Sequence, residues 1–110
     1  MATTREFVDY VIEQVGLGER LTFRKMFGEY ALYVDDKVVA FACDDSLFIK
    51  PSRATEELAP DLPRRPPYPA AKDHAVADEL LDDPEALKRL VLETAALMAP
   101  PKPKKVGTRK

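Results

Sequence analysis

Apolar residues recur along this chain with two different periods. Phe7, Val8, Val11, Ile12 and Val15 repeat every three to four positions behind Thr4, which predicts a helix over residues 4–15 with the threonine hydroxyl as its cap. Gly16 and Gly18 supply its exit. From Leu21 the period falls to two, and apolar runs at 30–34, 38–43 and 47–50 are separated by the pairs Asp35-Asp36 and Asp44-Asp45. Aspartate tolerates the left-handed backbone of tight hairpin turns, so the segment predicts a meander of short antiparallel strands, with a turn or bulge at Gly28.

Past Pro51 the pattern predicts a short helix within 52–62. Four prolines between Pro63 and Pro69 then exclude regular structure and predict an extended surface loop, followed by a short strand over 74–77. A second long helix starts at Asp83 as cap and Pro84 as first helical residue, and carries Leu87, Leu90, Val91, Thr94, Ala95, Leu97 and Met98 as a stripe. Pro100 and Pro101 end it. The fold class this predicts is α+β, a two-layer arrangement with N- and C-terminal helices packed on an antiparallel β-meander sheet.

A two-residue turn at Asp35-Asp36 pairs Leu32 with Val39, Tyr30 with Phe41 and Ala31 with Ala40. One face then carries Tyr30, Leu32, Val34, Val39 and Phe41, and the other Ala31, Tyr33, Val38, Ala40 and Ala42, whose small side chains let a helix lie close. Both faces are apolar, whereas a sheet wet on one side alternates. With both helices on the alanine face, Tyr30, Leu32, Val39 and Phe41 form an interaction surface. Its cover is either the proline-rich loop, anchored by Tyr68, or a protein partner, the first candidate being a second copy in a homodimer.

Composition adds limits. The 110 residues are the size of one domain, placed at 1–99, and the net charge of −2 conceals a basic tail at 100–110. That tail, Pro- and Lys-rich and without acids, is expected to be disordered. Its Lys102, Lys104, Lys105, Arg109 and Lys110 leave twelve basic against nineteen acidic side chains in the rest of the chain. They are the residues expected to hold nucleic-acid phosphates, weakly and without base reading. One cysteine excludes an internal disulfide, and there is neither a signal segment nor an 18-residue apolar run, so the expectation is a cytoplasmic protein without membrane contact.

Candidate chemistry is sparse. His74 is the only histidine and offers, with Cys43, two soft metal ligands at most, so no metal and no cofactor is expected. Cys43 lies beside two aspartates that raise its thiol pKa. The acid pairs fall at turns and a helix cap, where backbone bonding accounts for them. No phosphate loop, nucleophile elbow or zinc-protease string occurs.

The stretch RKMFGEYALYVDDKVVAFACDDSLFIKP, followed by PPYPAAK and by DELLDDPEALKRLVLETAALMAPPKPKK, resembles the TfoX N-terminal domain family, small proteins named after a bacterial regulator of natural competence. Arg24, Lys25, Met26, Phe27 and Gly28 form the family motif, and the run Met26-Phe27-Gly28 is its most specific part. Two departures stand out: Asp36 and Ala70 occupy positions where the family commonly has glycine. The resemblance implies a two-layer α+β fold and a domain that, in full-length regulators, precedes a second, helical domain lacking here. The expected function is a non-enzymatic regulatory and protein-interaction module. Two alternatives stay open: a nucleic-acid accessory acting through the tail, and a small-molecule or enzymatic cleft beside the proline-rich loop near Tyr68, Lys72 and His74.

Overall fold

The computed structural model of the protein describes residues 3–26 and 29–98. In chain order it has α1 (Arg5–Val15), β1 (Leu21–Met26), β2 (Glu29–Val34), β3 (Lys37–Cys43), β4 (Ser46–Ile49), α2 (Arg53–Leu58), β5 (Arg64–Arg65), β6 (His74–Val76) and α3 (Pro84–Leu97), with short 3-10 helices at Gly18–Arg20 and Asp78–Asp82. The strands form an open sheet in the order β1-β2-β3-β4-β6-β5, antiparallel throughout. The class is α+β, as the two periods predict.

Helix ends follow the capping chemistry. Thr4 Oγ1 accepts from the Phe7 N–H, and Gly16 at φ 69° closes α1 with its N–H on the Ile12 carbonyl. Ser52 accepts from the Ala54 N–H to start α2. Asp83 accepts from the Ala86 N–H to start α3, with Pro84 in the first turn.

Both aspartate pairs adopt the left-handed conformation: Asp35 and Asp36 have φ of 51° and 69°, Asp44 and Asp45 of 53° and 56°. Positive φ at both central residues is the type I′ geometry that matches strand twist. The turns also tie elements together. Asp35 receives the Arg20 guanidinium at 2.7 Å, and the hydrogen bond from Arg20 is the main cause holding its carboxyl below the usual range. Asp45 Oδ1 accepts from the Thr4 N–H at 2.9 Å, so the β3–β4 turn fixes the start of α1.

One residue changes the pairing expected beyond the first turn. Val34 faces Lys37 and Tyr33 faces Val38, but Leu32 faces Ala40, Ala31 faces Phe41 and Tyr30 faces Ala42. Val39 is an extra residue in β3, a β-bulge whose carbonyl accepts from the Lys50 N–H at 2.8 Å. The slip sends every later side chain of β3 to the opposite face. Ala40 and Ala42 therefore lie beside Tyr30, Leu32 and Val34 in the main core, and Phe41 crosses to the other face.

That core packs α1 and α3 on one side of the sheet. Val8, Val11 and Val15 of α1, Leu87, Leu90 and Val91 of α3, and Leu32, Val34, Val39, Leu47 and Ile49 of the sheet are each no more than 2% exposed. Burial of such side chains stabilises by about 1.5–3 kcal/mol each. The expectation that Tyr30, Leu32 and Val39 form a surface is thus corrected: they are 6%, 2% and 1% exposed, under the helices.

The proline-rich loop also departs from expectation. Arg64 and Arg65, standing between prolines, pair with Ala75 and His74 as edge strand β5, and the Pro63 carbonyl accepts from the Val76 N–H. Proline is tolerated there because the outer side of an edge strand needs no donor. The buried anchor of the loop is Pro67, whereas Tyr68 is 51% exposed. Ala70 sits at φ 75°, the third residue of a Tyr68–Pro69–Ala70–Ala71 turn closed by the Ala71 N–H on the Tyr68 carbonyl at 3.1 Å. This is the type II position that favours glycine.

Asp36→Gly is expected to raise unfolding free energy by about 0.5–1 kcal/mol and Ala70→Gly by about 1 kcal/mol, as the left-handed strain is relieved. Asp45→Gly, which also removes the acceptor for Thr4, should fall below Asp36→Gly by about 1 kcal/mol; urea titration of the three variants checks the order. Thr94 is wholly buried and its hydroxyl has no hydrogen-bond partner among the described residues. Thr94→Val, of equal shape, is expected to stabilise by about 1 kcal/mol in the same assay.

Candidate interaction surface

Because the pleat alternates, cross-strand partners give each face a row. Phe23, Leu32, Ala40, Ile49 and Ala75 cross the sheet beneath the helices, and Arg24, Ala31, Phe41, Phe48 and Val76 cross it on the second face. On that second face exposure varies along the row, and Ala31, between Arg24 and Phe41, is 1% exposed. Arg24 is exposed, Phe41 half-buried, and Phe48 and Val76 are 2% and 5% exposed.

The covering material comes from the chain itself. The Arg65 guanidinium lies 5.1 Å from the centre of the Phe48 ring, held there by a hydrogen bond from Nη2 to Ser46 Oγ, a stacking contact typical of arginine. Cys43, Phe48 and Val76, with Phe41 at the margin, make a small second core. Tyr33, Val38 and Phe41 remain half-buried.

At the covered end the Pro-rich loop leaves a groove of about 440 Å³ bounded by Phe41, Lys50, Tyr68, Ala71, Lys72 and His74. Tyr68, Lys72 and His74, grouped by sequence position alone, are brought together here. Phe41 and Lys50 join them unforeseen; the bulge turns Phe41 to this face, and no residue pattern announced it. The His74 ring meets Phe41 edge to face at 5.6 Å between centres. Its Nδ1 lies 2.8 Å from the Lys72 carbonyl, which can only accept, so Nδ1 carries the proton and donates. A second groove, about 580 Å³, runs between the end of α1 and the start of α3; there Glu13, Glu85 and Glu93 stand among Lys88 and Arg89, so opposite charges offset one another.

Other sequence candidates are dispersed. Arg24 and Lys25 are exposed near the end of β1, and Met26 closes that strand. Phe27 and Gly28 lie outside the described residues, as do Lys102, Lys104, Lys105, Arg109 and Lys110. Cys43 is 2% exposed. Burial first, then the charges of Glu29 and Asp44, push its thiol up to about 11. Among the described residues no helix is long and apolar enough to cross a membrane, and no cluster of three metal-ligating side chains forms.

Comparison with known proteins follows the same outline. The TfoX N-terminal domain profile matches residues 13–97, from within α1 to the last residue of α3. The chain belongs to the TfoX N-terminal domain family. It is 41% identical over 109 residues to the "uncharacterized 12.7 kDa protein in trpE 5′ region" of Spirochaeta aurantia, a span of 99% of this chain and 95% of that relative. No solved structure matches significantly. Within this member of the TfoX N-terminal domain family, the two departures from the family's glycines, Asp36 and Ala70, are both positions of positive φ.

The Cys43 thiol should resist alkylation in the folded protein. At about pH 8, iodoacetamide is expected to modify it roughly 100-fold more slowly than an unhindered thiol, with the difference abolished in denaturant. Mass-spectrometric time courses measure this.

Proposed function

We propose that this member of the TfoX N-terminal domain family is a non-enzymatic regulatory module that works by protein interaction, and that its docking edge is β1. The observation that carries this reading is the contrast between the two sheet edges. β5 is two residues long and flanked by proline, a protected edge; β1 is six residues long, contains no proline and has a strand neighbour on one side only. An edge of this length without proline offers a row of backbone donors and acceptors that an extended segment can complete.

The charges select the occupant. Arg24 and Lys25 are exposed, point to opposite faces by alternation, and have no ion-pair partner among the described residues. Two copies of β1 pairing antiparallel over all six residues would set the two Arg24 one residue apart and each Lys25 two residues from the other copy's Arg24, which opposes a second copy. An extended acidic segment of another protein is favoured by both the backbone and the charge. The three half-buried apolar residues of the second face also fall well short of the ~800 Å² per partner of a standard interface. A non-enzymatic role agrees with a thiol held protonated and a histidine whose Nδ1 is taken by a backbone carbonyl.

A peptide of alternating glutamate and valine is the probe. Titrated into labelled protein, it is expected to shift amide resonances of residues 21–26, to slow hydrogen exchange there, and to weaken as salt rises. The double variant Arg24→Glu/Lys25→Glu should lose the effect. Unmoved β1 resonances, or binding that the double variant retains, would refute the docking edge.

A further inference from the structure

At the other end of the sheet, the groove between Phe41 and the Pro-rich loop has features that the protein-interaction reading does not use. Residues 1–99 carry an excess of acids, yet no acidic side chain lines this groove, while Lys50, Lys72 and His74 do. Neither lysine has an ion-pair or hydrogen-bond partner for its ammonium group among the described residues. Two unpaired cations brought to one concavity favour an anion. Two aromatic residues line the same groove: the half-buried Phe41 on the sheet side and Tyr68 on the loop side.

The loop that presents Tyr68 and Lys72 is held in a costly shape. Ala70 keeps φ at 75° without being glycine, Pro69 fixes the residue before it, and Pro67 is buried beneath. Strain of this kind persists where surrounding contacts enforce it, and the turn carries Tyr68 at its first position with Lys72 directly after its last. His74 adds a directed group. With Nδ1 donating to the Lys72 carbonyl, Nε2 is the ring nitrogen left to meet a ligand.

We infer that this groove binds a small phosphate monoester carried on a flat ring, the class to which nucleoside monophosphates belong. Charge and size decide among anions. A phosphate monoester near neutral pH bears close to two negative charges and matches two ammonium groups, whereas a carboxylate leaves one uncompensated. A volume of about 440 Å³ lies in the lower part of the range of small-molecule sites and suits a mononucleotide better than a dinucleotide. The ring stacks against Tyr68 and Phe41, a contact that tolerates different bases because each has a π-face. The site is separate from β1 and does not depend on the docking edge.

The test is titration calorimetry, paired with amide NMR, of the full chain with AMP, GMP, CMP and UMP, and with ribose 5-phosphate and adenosine as partial ligands. Nucleoside monophosphates are expected to saturate at sub-millimolar to millimolar concentration and to shift resonances of Phe41, Lys50 and residues 68–74. Ribose 5-phosphate and adenosine should each bind ~10-fold more weakly, since one lacks the ring and the other the charge. Lys72→Ala is expected to weaken nucleotide binding ~10-fold and reduce its salt dependence. Tyr68→Ala should weaken nucleotides but leave ribose 5-phosphate unchanged. Both side chains are exposed, so an unaltered amide spectrum elsewhere shows that each variant folds. The Arg24→Glu/Lys25→Glu protein should bind nucleotides as before, so that failure of one site is not failure of the other. Absence of saturable binding, resonance shifts confined to other regions, or equal affinity in the Lys72 and Tyr68 variants would overturn the assignment.

Discussion

The extra residue at Val39 is the constraint on which the arrangement turns. Without it, β3 would present its alanines to one side and Val39 and Phe41 to the other, in step with the large side chains of β2. With it, Ala40 and Ala42 lie across from Leu32 and Tyr30, so large residues of one strand alternate with small residues of the next beneath the helices. That mixture lets a helix approach a sheet without voids. The same slip delivers Phe41 to the second face, where it borders both the small core around Phe48 and the groove. The bulge is secured from outside the hairpin by the bond from the Lys50 N–H to the Val39 carbonyl.

Acidic residues hold the frame and basic residues occupy its margins. Asp35 and Asp45 use their carboxylates to bind Arg20 and Thr4, joining the hairpins to the elements before them. Glu29 accepts from the Thr3 hydroxyl and from the Asp44 N–H, so the start of the described chain, β2 and the β3–β4 turn meet at one carboxylate. These acids are consumed by structure. Arg24 and Lys25 at one edge, and Lys50 and Lys72 at the other end, are not, and they stand where backbone or ring surface is open beside them.

Much of this was legible in the sequence, for reasons that are local. Thr4, Ser52 and Asp83 lie before apolar periods and cap helices because a side-chain oxygen there meets a free N–H. The paired aspartates mark turns because they tolerate positive φ. The bulge was not legible: Val38-Val39-Ala40 contains no glycine and no break in hydropathy, and the slip is fixed by contacts with α3 and with the backbone after β4. That residue accounts for the exchange of Ala40, Ala42 and Phe41 between faces. Tyr30, Leu32 and Val39 share the face expected of them, and the expectation that they form a surface follows from assigning the helices to the other side. The grouping of Tyr68, Lys72 and His74 was legible from proximity in the chain. The addition of Lys50 and Phe41 needed the strand order, in which β6 inserts between β4 and β5.

The two faces of the sheet thereby divide the work. The helix-covered side is filled from Phe23 to Ala75 and has no room for a partner without unfolding the core. On the second side, cover at the β4–β6 end comes from Arg65 over Phe48 and from the loop buried at Pro67, while Tyr33, Val38 and Phe41 stay half-buried and Arg24 is exposed. Both proposed sites therefore lie at the margins of the sheet. There an edge strand lacks a neighbour, or a strained loop stands off from the strands it crosses, and desolvating a partner disturbs none of the packing that holds the fold.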